Sequence, residues 1–342
     1  MQRQSLFFTA PGQIEIRSEP LPAGQPGQVL VRSLVSAISA GTEMLIYRGQ
    51  APEGMAVDAT IEDLAGALSY PLKYGYSLVG EVVDGNSKEA RAWIGRRVFA
   101  FHPHESLFWT TPASLHPLPD DLPPEDAVFL PNMETAINFL HDAAPLVGEQ
   151  AVVFGQGVVG LLTTALLARF PLAQRLTLDP YPLRREMSLA WGADVSLDPG
   201  DPSILAQLAQ RLRRYDPSGR ADVAFELSGA PRALQQAIDI TGFGGRVIIG
   251  SWYGTKPVTL NLGRDFHRNR IRLISSQVSS LAPELTGRWT KARRWQTAWD
   301  WLARLHPADL ITHRIPFDQA PRAYALLDQR PDEHLQIIFD YS

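Results

Sequence analysis

Two textures divide the 342-residue chain. Over residues 1–122, short apolar or alternating runs at 14–17, 28–35, 78–83 and 97–101 are separated by Pro and Gly. Period-two alternation with frequent breakers predicts the strands of a small, strongly bent β-barrel. Between Gly49 and Tyr74 the chain is polar and irregular. A short helix is expected around 61–68, and a functional loop and a plain surface excursion fit equally well. After the Pro-rich stretch 118–124 the period lengthens and strands alternate with helices. Helices are predicted at 127–142, 161–170, 183–191, 204–215 and 232–240, with strands at 151–154, 176–179, 193–197, 221–227, 245–250 and 271–275. That alternation predicts a parallel, doubly wound sheet covered on both faces. A final helix over 288–305 places Trp295, Trp299 and Leu302 on one face as a packing stripe. Then come a strand at 311–315, a helix at 320–329 and a closing strand at 336–340, expected to pair with the first barrel. The middle domain is then an insertion, with bounds at 1–122, 123–278 and 279–342.

The strand at 151–154 runs directly into Gly155-Gln156-Gly157-Val158-Val159-Gly160 and an apolar helix. Gly155 permits a tight turn, and Gly157 leaves room for backbone to approach a pyrophosphate. Gly160 lets the helix pack close to the strand, with Val158 and Val159 in the turn that faces the anion. Nineteen residues beyond Gly160, Asp179 ends the next strand, where it can accept hydrogen bonds from a ribose and repel a 2′-phosphate. This spacing implies a nicotinamide dinucleotide, NAD before NADP. Tyr181 or Leu183 follows as a cover for the adenine, and Arg184 keeps a 2′-phosphate in play. Ser228 and Gly229 form the turn after the strand at 221–227, and Gly250 and Ser251 follow the next strand. Both pairs are expected beside the nicotinamide and its ribose.

Composition narrows the rest. Net charge is −4 with both signs interspersed, so neither nucleic acid nor an anionic membrane is an expected partner. The basic clusters 211–214 and 291–294 are expected to be solvated helix faces. No apolar run approaches a membrane span and Met1-Gln-Arg-Gln lacks a secretory apolar segment, so a cytoplasmic location is expected. There is no cysteine, which excludes disulfides, thiol nucleophiles and cysteine-ligated metals. Among eight histidines only His102 and His104 are close, and no further ligand stands at a familiar spacing.

Barrel, inserted dinucleotide domain and chain length together resemble the medium-chain dehydrogenase/reductase superfamily, over essentially the whole chain. The resemblance implies an α/β fold in which a Rossmann doubly wound sheet is inserted into a GroES-like β-barrel catalytic domain. Zinc-dependent members carry Cys-x-Ser/Thr-Asp/Glu. The matching stretch here is Ser39-Ala40-Gly41-Thr42-Glu43, with alanine at the ligand position. Their Gly-His-Glu-x-x-Gly matches Gly75-Tyr76-Ser77-Leu78-Val79-Gly80, where both potential ligands are lost. The third ligand position falls at Pro131-Asn132, and the structural-zinc lobe is missing. A site without metal is therefore expected. Ala40–Glu43, Tyr74–Tyr76, Phe101–His104, Phe266–Arg268 and Ser276-Gln277 are similar to the branch known as bacteriochlorophyllide a dehydrogenase-like or zinc-type alcohol dehydrogenase-like. A homodimer is expected by analogy.

Zinc stabilises a developing alkoxide; without it, hydrogen-bond donors must serve, each contributing roughly 3 kcal/mol in a dry, preorganised site. The resemblance places Thr42 and Tyr76 beside the nicotinamide, and His102 has a reference pKa suited to proton exchange. Against these stand plainer roles: Thr42 bonding backbone, Tyr76 filling the space of the metal, and His102 as a satisfied loop histidine. Glu134 reads as a solvated or helix-terminal charge. Weak donors suit delocalised charge, which favours hydride exchange with a conjugated or bulky secondary alcohol or ketone. Reduction of an activated alkene, as in quinone and enoyl reductases, is the alternative, and a catalytically silent nucleotide-binding protein is the alternative of another class.

Overall fold

The computed structural model describes residues 1–52, 54 and 68–341. The helix expected around 61–68 lies almost wholly outside the described residues. Two compact units are present, one formed by Met1–Pro131 with Trp299–Ser342 and the other by Asn132–Ala298. The contact division thus falls at 131/132 and 298/299, whereas the changes of sequence texture fall at 122/123 and 278/279.

The discontinuous unit is built on a seven-stranded sheet. Its spine runs Ile311–Pro316, Gln336–Asp340, Val29–Ala37, Leu78–Gly85, Arg97–Ala100 and Leu115–Pro117, with Leu107–Thr110 also pairing with Val29–Ala37. The closing strand does return: Ile338 lies opposite Ala37 in antiparallel register. Alternation delivers Val29, Val31, Leu78, Val82, Val98 and Phe108 to one buried cluster. The hairpin Gln2–Ala10 and Gln13–Pro20 stands apart as a two-stranded sheet. Periodicity missed Gln2–Ala10 and the helix Ala40–Tyr47. The latter has glycine as its second residue, and its stability comes from burying Glu43, Met44, Leu45 and Ile46.

The continuous unit carries a six-stranded, all-parallel sheet in the spatial order Val195–Leu197, Gln174–Leu178, Gln150–Phe154, Ala221–Glu226, Thr241–Ile249 and Arg272–Ser275. Strand order reverses between Gln150–Phe154 and Ala221–Glu226, and the crevice at that reversal is where such sheets bind ligands. Apolar runs buried on both faces explain the parallel pairing; Val152, Phe154, Leu176, Ala224 and Val247 are all under 2% exposed.

Two charge assignments need correction. Arg294, read as part of a solvated basic face, is fully buried, and so is Glu134. Arg294 Nε donates to Glu134 Oε1 at 3.0 Å, and its guanidinium also bonds Asn138 and the carbonyls of Val278 and Ser280. The pair ties helix Leu130–Ala143 to helix Lys291–Leu305, a partnership across 160 residues that composition cannot reveal. Arg211, Arg213 and Arg214 are exposed as expected. Among the described residues no helix is long and apolar enough to cross a membrane.

Candidate active site

In the continuous unit the glycines divide by physical cause. Gly155 has φ +93°, and a Cβ there would meet the backbone of Leu227 and Ser228 at 2.7–2.8 Å. A Cβ on Gly160 would lie 2.1 Å from the carbonyl oxygen of Gly155, so only glycine lets the helix Val158–Leu167 sit this close to its strand. Gly157 is different. It caps that helix at an ordinary negative φ, and a Cβ there would meet nothing within 4 Å. Nothing in the protein's own packing demands glycine at this position. Val158 and Val159 follow it in the first turn, half-buried.

Asp179 is 2% exposed just beyond the strand Gln174–Leu178. Its Oδ2 accepts from the Gln156 N–H at 2.8 Å and its Oδ1 from the Tyr181 N–H at 3.0 Å. A carboxylate has about four lone-pair sites, so two remain for further donors. Burial pushes its pKa upward, an effect that Arg184 and the two backbone donors only partly offset. The Arg184 guanidinium lies 3.9 Å from Asp179 and 4.8 Å above the Tyr181 ring. Across the strand reversal, the fully buried Glu226 organises the turn at Ser228 and Gly229. Its Oε1 accepts from Ser228 N–H (2.8 Å), Ser228 Oγ (2.5 Å) and Gly229 N–H (3.1 Å), and Oε2 accepts from Tyr253 (2.6 Å). Ser251 Oγ also accepts from the Gly229 N–H at 2.8 Å, and Gly250 packs on Phe139 and Leu227 with no room for a Cβ. Ser228, Gly229, Gly250 and Ser251 are therefore one hydrogen-bonded cluster. Glu226 went unnoticed as its hub because a single strand-end carboxylate carries no spacing signal.

The discontinuous unit gathers hydroxyls. Tyr76 and Ser39 are hydrogen-bonded through their side-chain oxygens, and Tyr76 donates to Thr42 Oγ1 at 3.3 Å. All three are half-buried. Behind them lies a fully buried layer. Glu43 accepts from the Ser39 N–H at 2.7 Å and from the Tyr324 hydroxyl, and its Oε2 lies 3.2 Å from His104 Nε2. His104 Nδ1 meets Ser36 Oγ at 2.7 Å. Gly75, at φ +119°, supplies the gap for that imidazole, since a Cβ would fall 2.6 Å from its ring. Thr42 and Tyr76 are thus brought together. Ser39, Glu43, His104 and Tyr324 complete the group although sequence reasoning gave them no role.

His102 faces elsewhere. Its ring stacks on Phe108 at 3.7 Å, and its Nε2 lies 3.1 Å from Glu105, which also binds Lys73 at 2.5 Å and Arg3 at 3.0 Å. Burial alone would raise the Glu105 pKa. The hydrogen bond and charge of His102, with the Lys73 ammonium, override it and bring the value down to about 2.

The positions that hold zinc in metal-dependent members do not offer a zinc donor set. Ala40 has no donor, Tyr76 is engaged with Ser39 and Thr42, and buried Ser77 bonds the carbonyl of Val128. Among the described residues no cluster of three or more His, Asp or Glu could hold a metal.

Comparison with known proteins bears on the whole arrangement. Residues 159–304 match the family model described as zinc-binding dehydrogenase. D-guloside 3-dehydrogenase of Escherichia coli K12 is 24% identical over 91% of this chain and 92% of its own length. 2-Dehydro-3-deoxy-L-galactonate 5-dehydrogenase of Pseudoalteromonas atlantica is 30% identical over 64% of this chain and 67% of its own. A solved alcohol dehydrogenase from Escherichia coli CFT073, complexed with NADH, superposes with a TM-score of 0.80 at 16% identity, covering 99% of both chains. Together with the parallel six-stranded sheet and the separate antiparallel one, these matches make the chain a member of the medium-chain, zinc-type alcohol dehydrogenase-like family.

Proposed function

We propose that this protein is a zinc-independent, NAD(P)-dependent oxidoreductase that exchanges hydride between the nicotinamide and a secondary alcohol or ketone. The observation that carries the cofactor half is Gly157, a glycine with free space around it between two glycines that packing demands. Its lack of a side chain serves an approaching pyrophosphate, which the helix N-terminus then faces. Asp179 favours NAD by bonding the ribose and repelling a 2′-phosphate; Arg184, stacked on Tyr181, is the residue through which NADP would be accepted. Ser228, Gly229, Gly250 and Ser251 hold the nicotinamide end. Bound nicotinamide supplies or receives the hydride.

The protein's own chemistry lies in the hydroxyl cluster. Thr42 and Tyr76 donate hydrogen bonds to the substrate oxygen as it gains negative charge, in place of a metal. His102 belongs to the ion cluster around Glu105, which leaves the hydroxyls as the proton carriers. The relatives named above are all dehydrogenases, and two of them carry the names of sugar-derived substrates, which supports the alcohol/ketone reading over alkene reduction and over a silent binder. We place the substrate among bulky secondary alcohols such as glycosides and sugar acids. Within the family, the motif set around Ala40–Glu43 supports a metal-free member of the zinc-type alcohol dehydrogenase-like branch; a cytoplasmic location and a homodimer are part of the proposal by analogy alone.

The test is turnover on methyl hexopyranosides, hexonates and 2,3-butanediol with NAD or NADP, with and without EDTA. Turnover is expected to survive chelation. Thr42→Val and Tyr76→Phe are each expected to lower kcat by about a hundredfold while NADH affinity stays unchanged. Activity that disappears on chelation and returns with zinc would overturn the metal-free reading. Full turnover in both variants would overturn the site assignment.

A further inference from the structure

Ser39 opens the helix Ala40–Tyr47, yet its side chain does not do what a serine at that position ordinarily does. An N-cap hydroxyl usually accepts from an N–H of the first turn; this one makes no capping bond. Its Oγ is turned to the phenolic oxygen of Tyr76 instead. The Glu43 carboxylate reaches back to hold the Ser39 N–H at 2.7 Å, and it is itself fixed by Tyr324 and His104. Both ends of Ser39 are therefore determined, the backbone by a fully buried carboxylate and the side chain by Tyr76.

Direction follows from proton count. A phenol carries one proton, and Tyr76 gives it to Thr42. The bond between Ser39 and Tyr76 must then run from Ser39. In this alignment the three hydroxyls form a chain that runs from Ser39 to Tyr76 to Thr42. At the end of the chain away from Thr42, Ser39 is half-buried and is followed by the exposed Ala40 and Gly41.

We propose that Ser39 is the solvent end of a proton relay that recharges Tyr76 and Thr42 during turnover; this rests on the reading that those two face the reacting oxygen. In reduction, the carbonyl carbon gains hydride from NADH and its oxygen takes the Thr42 proton. As that O–H bond breaks, Thr42 takes the Tyr76 proton, Tyr76 takes the Ser39 proton, and Ser39 takes one from solvent. Each hydroxyl ends with one proton but with its O–H turned toward the solvent side, and one solvent proton is consumed for each hydride transferred. Oxidation uses the opposite alignment, in which Thr42 donates to Tyr76 and Tyr76 to Ser39, and releases the proton. Glu43 acts through Ser39 and is a positioning residue.

Because Ser39 makes no capping bond, Ser39→Ala removes the relay without removing a helix cap. With a methyl hexopyranoside and NAD as the probe pair, or 2,3-butanediol in its place, Ser39→Ala is expected to lower kcat about 10- to 100-fold. KM and NADH affinity should stay at wild-type values, and Ser39→Thr should recover most of the rate. A second readout needs no turnover: 19F NMR of protein labelled with 3-fluorotyrosine, with the Tyr76 signal assigned through Tyr76→Phe. Loss of the donated bond should move the Tyr76 titration upward in Ser39→Ala. Unchanged kcat together with an unchanged Tyr76 titration would overturn the relay. If Thr42→Val and Tyr76→Phe lose activity while Ser39→Ala does not, the relay alone fails; if all three keep it, the underlying site reading fails too.

Discussion

The glycine loop and the hydroxyl cluster are built on opposite plans. The loop is contiguous: Gly155, Gly157, Gly160 and Asp179 lie within 25 residues, Gly160 being confined by Gly155 and Gly155 by Leu227 and Ser228, while Gly157 has free space around it. The cluster is assembled from Ser36, Ser39, Thr42 and Glu43 on one segment, Tyr76 and His104 on others, and Tyr324 near the far end of the chain. A contiguous site needs one turn and one helix to form. A dispersed site forms only when the strands Val29–Ala37, Leu78–Gly85 and Gln336–Asp340 have found their register. The lesson is that the glycine loop draws on one close strand–helix contact and one neighbouring strand, whereas the hydroxyl geometry joins segments from both ends of the chain and should be the more sensitive to distant change.

The largest effect that would sharpen this contrast lies within the loop. Gly160→Val drives side-chain atoms against the Gly155 carbonyl and should cost several kcal/mol, seen as a large fall in melting temperature together with loss of NADH binding. Gly157→Ala should leave the melting temperature near wild type and still weaken NADH at least about tenfold, read by fluorescence. Equal NADH affinity in Gly157→Ala would break the claim that this glycine serves a ligand.

Next is the dispersed site. Glu43→Gln replaces a buried acceptor with a group that presents N–H to the donors around it. A stability loss of about 2–4 kcal/mol is expected in urea titrations, with a fall in kcat, although the substituted side chain would touch no substrate. Stability and rate both unchanged would mean the cluster does not depend on its buried layer.

The smallest effect is set by pH. The Glu105 carboxyl sits at about 2 against an ordinary 4.5. A depressed acid stabilises the fold fully above the unfolded value and loses that contribution as pH falls from 4.5 toward 2. On the order of 3 kcal/mol is at stake. Urea midpoints measured at pH 6 and pH 3 should converge in Glu105→Gln relative to wild type. The glycine loop has no part in this cluster, so NADH affinity of folded protein at pH 6 should be the same in both.

His102 and His104 show how far a sequence can be read here. Both stand out as a close pair, but a Pro-separated pair in extended backbone points to different neighbours. One ring meets Phe108 and Glu105, and the other meets Glu43 and Ser36. Which of the two joins Thr42 and Tyr76 depends on which way the strand faces. Sequence favoured His102; the packing puts His104 against Glu43. Glu134 and Arg294 make the same point for charge, since a buried ion pair and two solvated residues have the same composition.

The chain by itself determined the alternating strand and helix order of the continuous unit, the turn at Gly155–Gly160 and the acidic strand end at Asp179. These depend on near neighbours, on residue chemistry or on a fixed period, and such terms are written locally. Only the tertiary structure decided that Ser39 turns from its helix toward Tyr76, that Glu43 is held by His104 and Tyr324, and that Glu226 organises the turn at Ser228 and Gly229. Hydrogen bonds between distant segments have no sequence period, because their geometry exists only after the sheets close and water is excluded from around them.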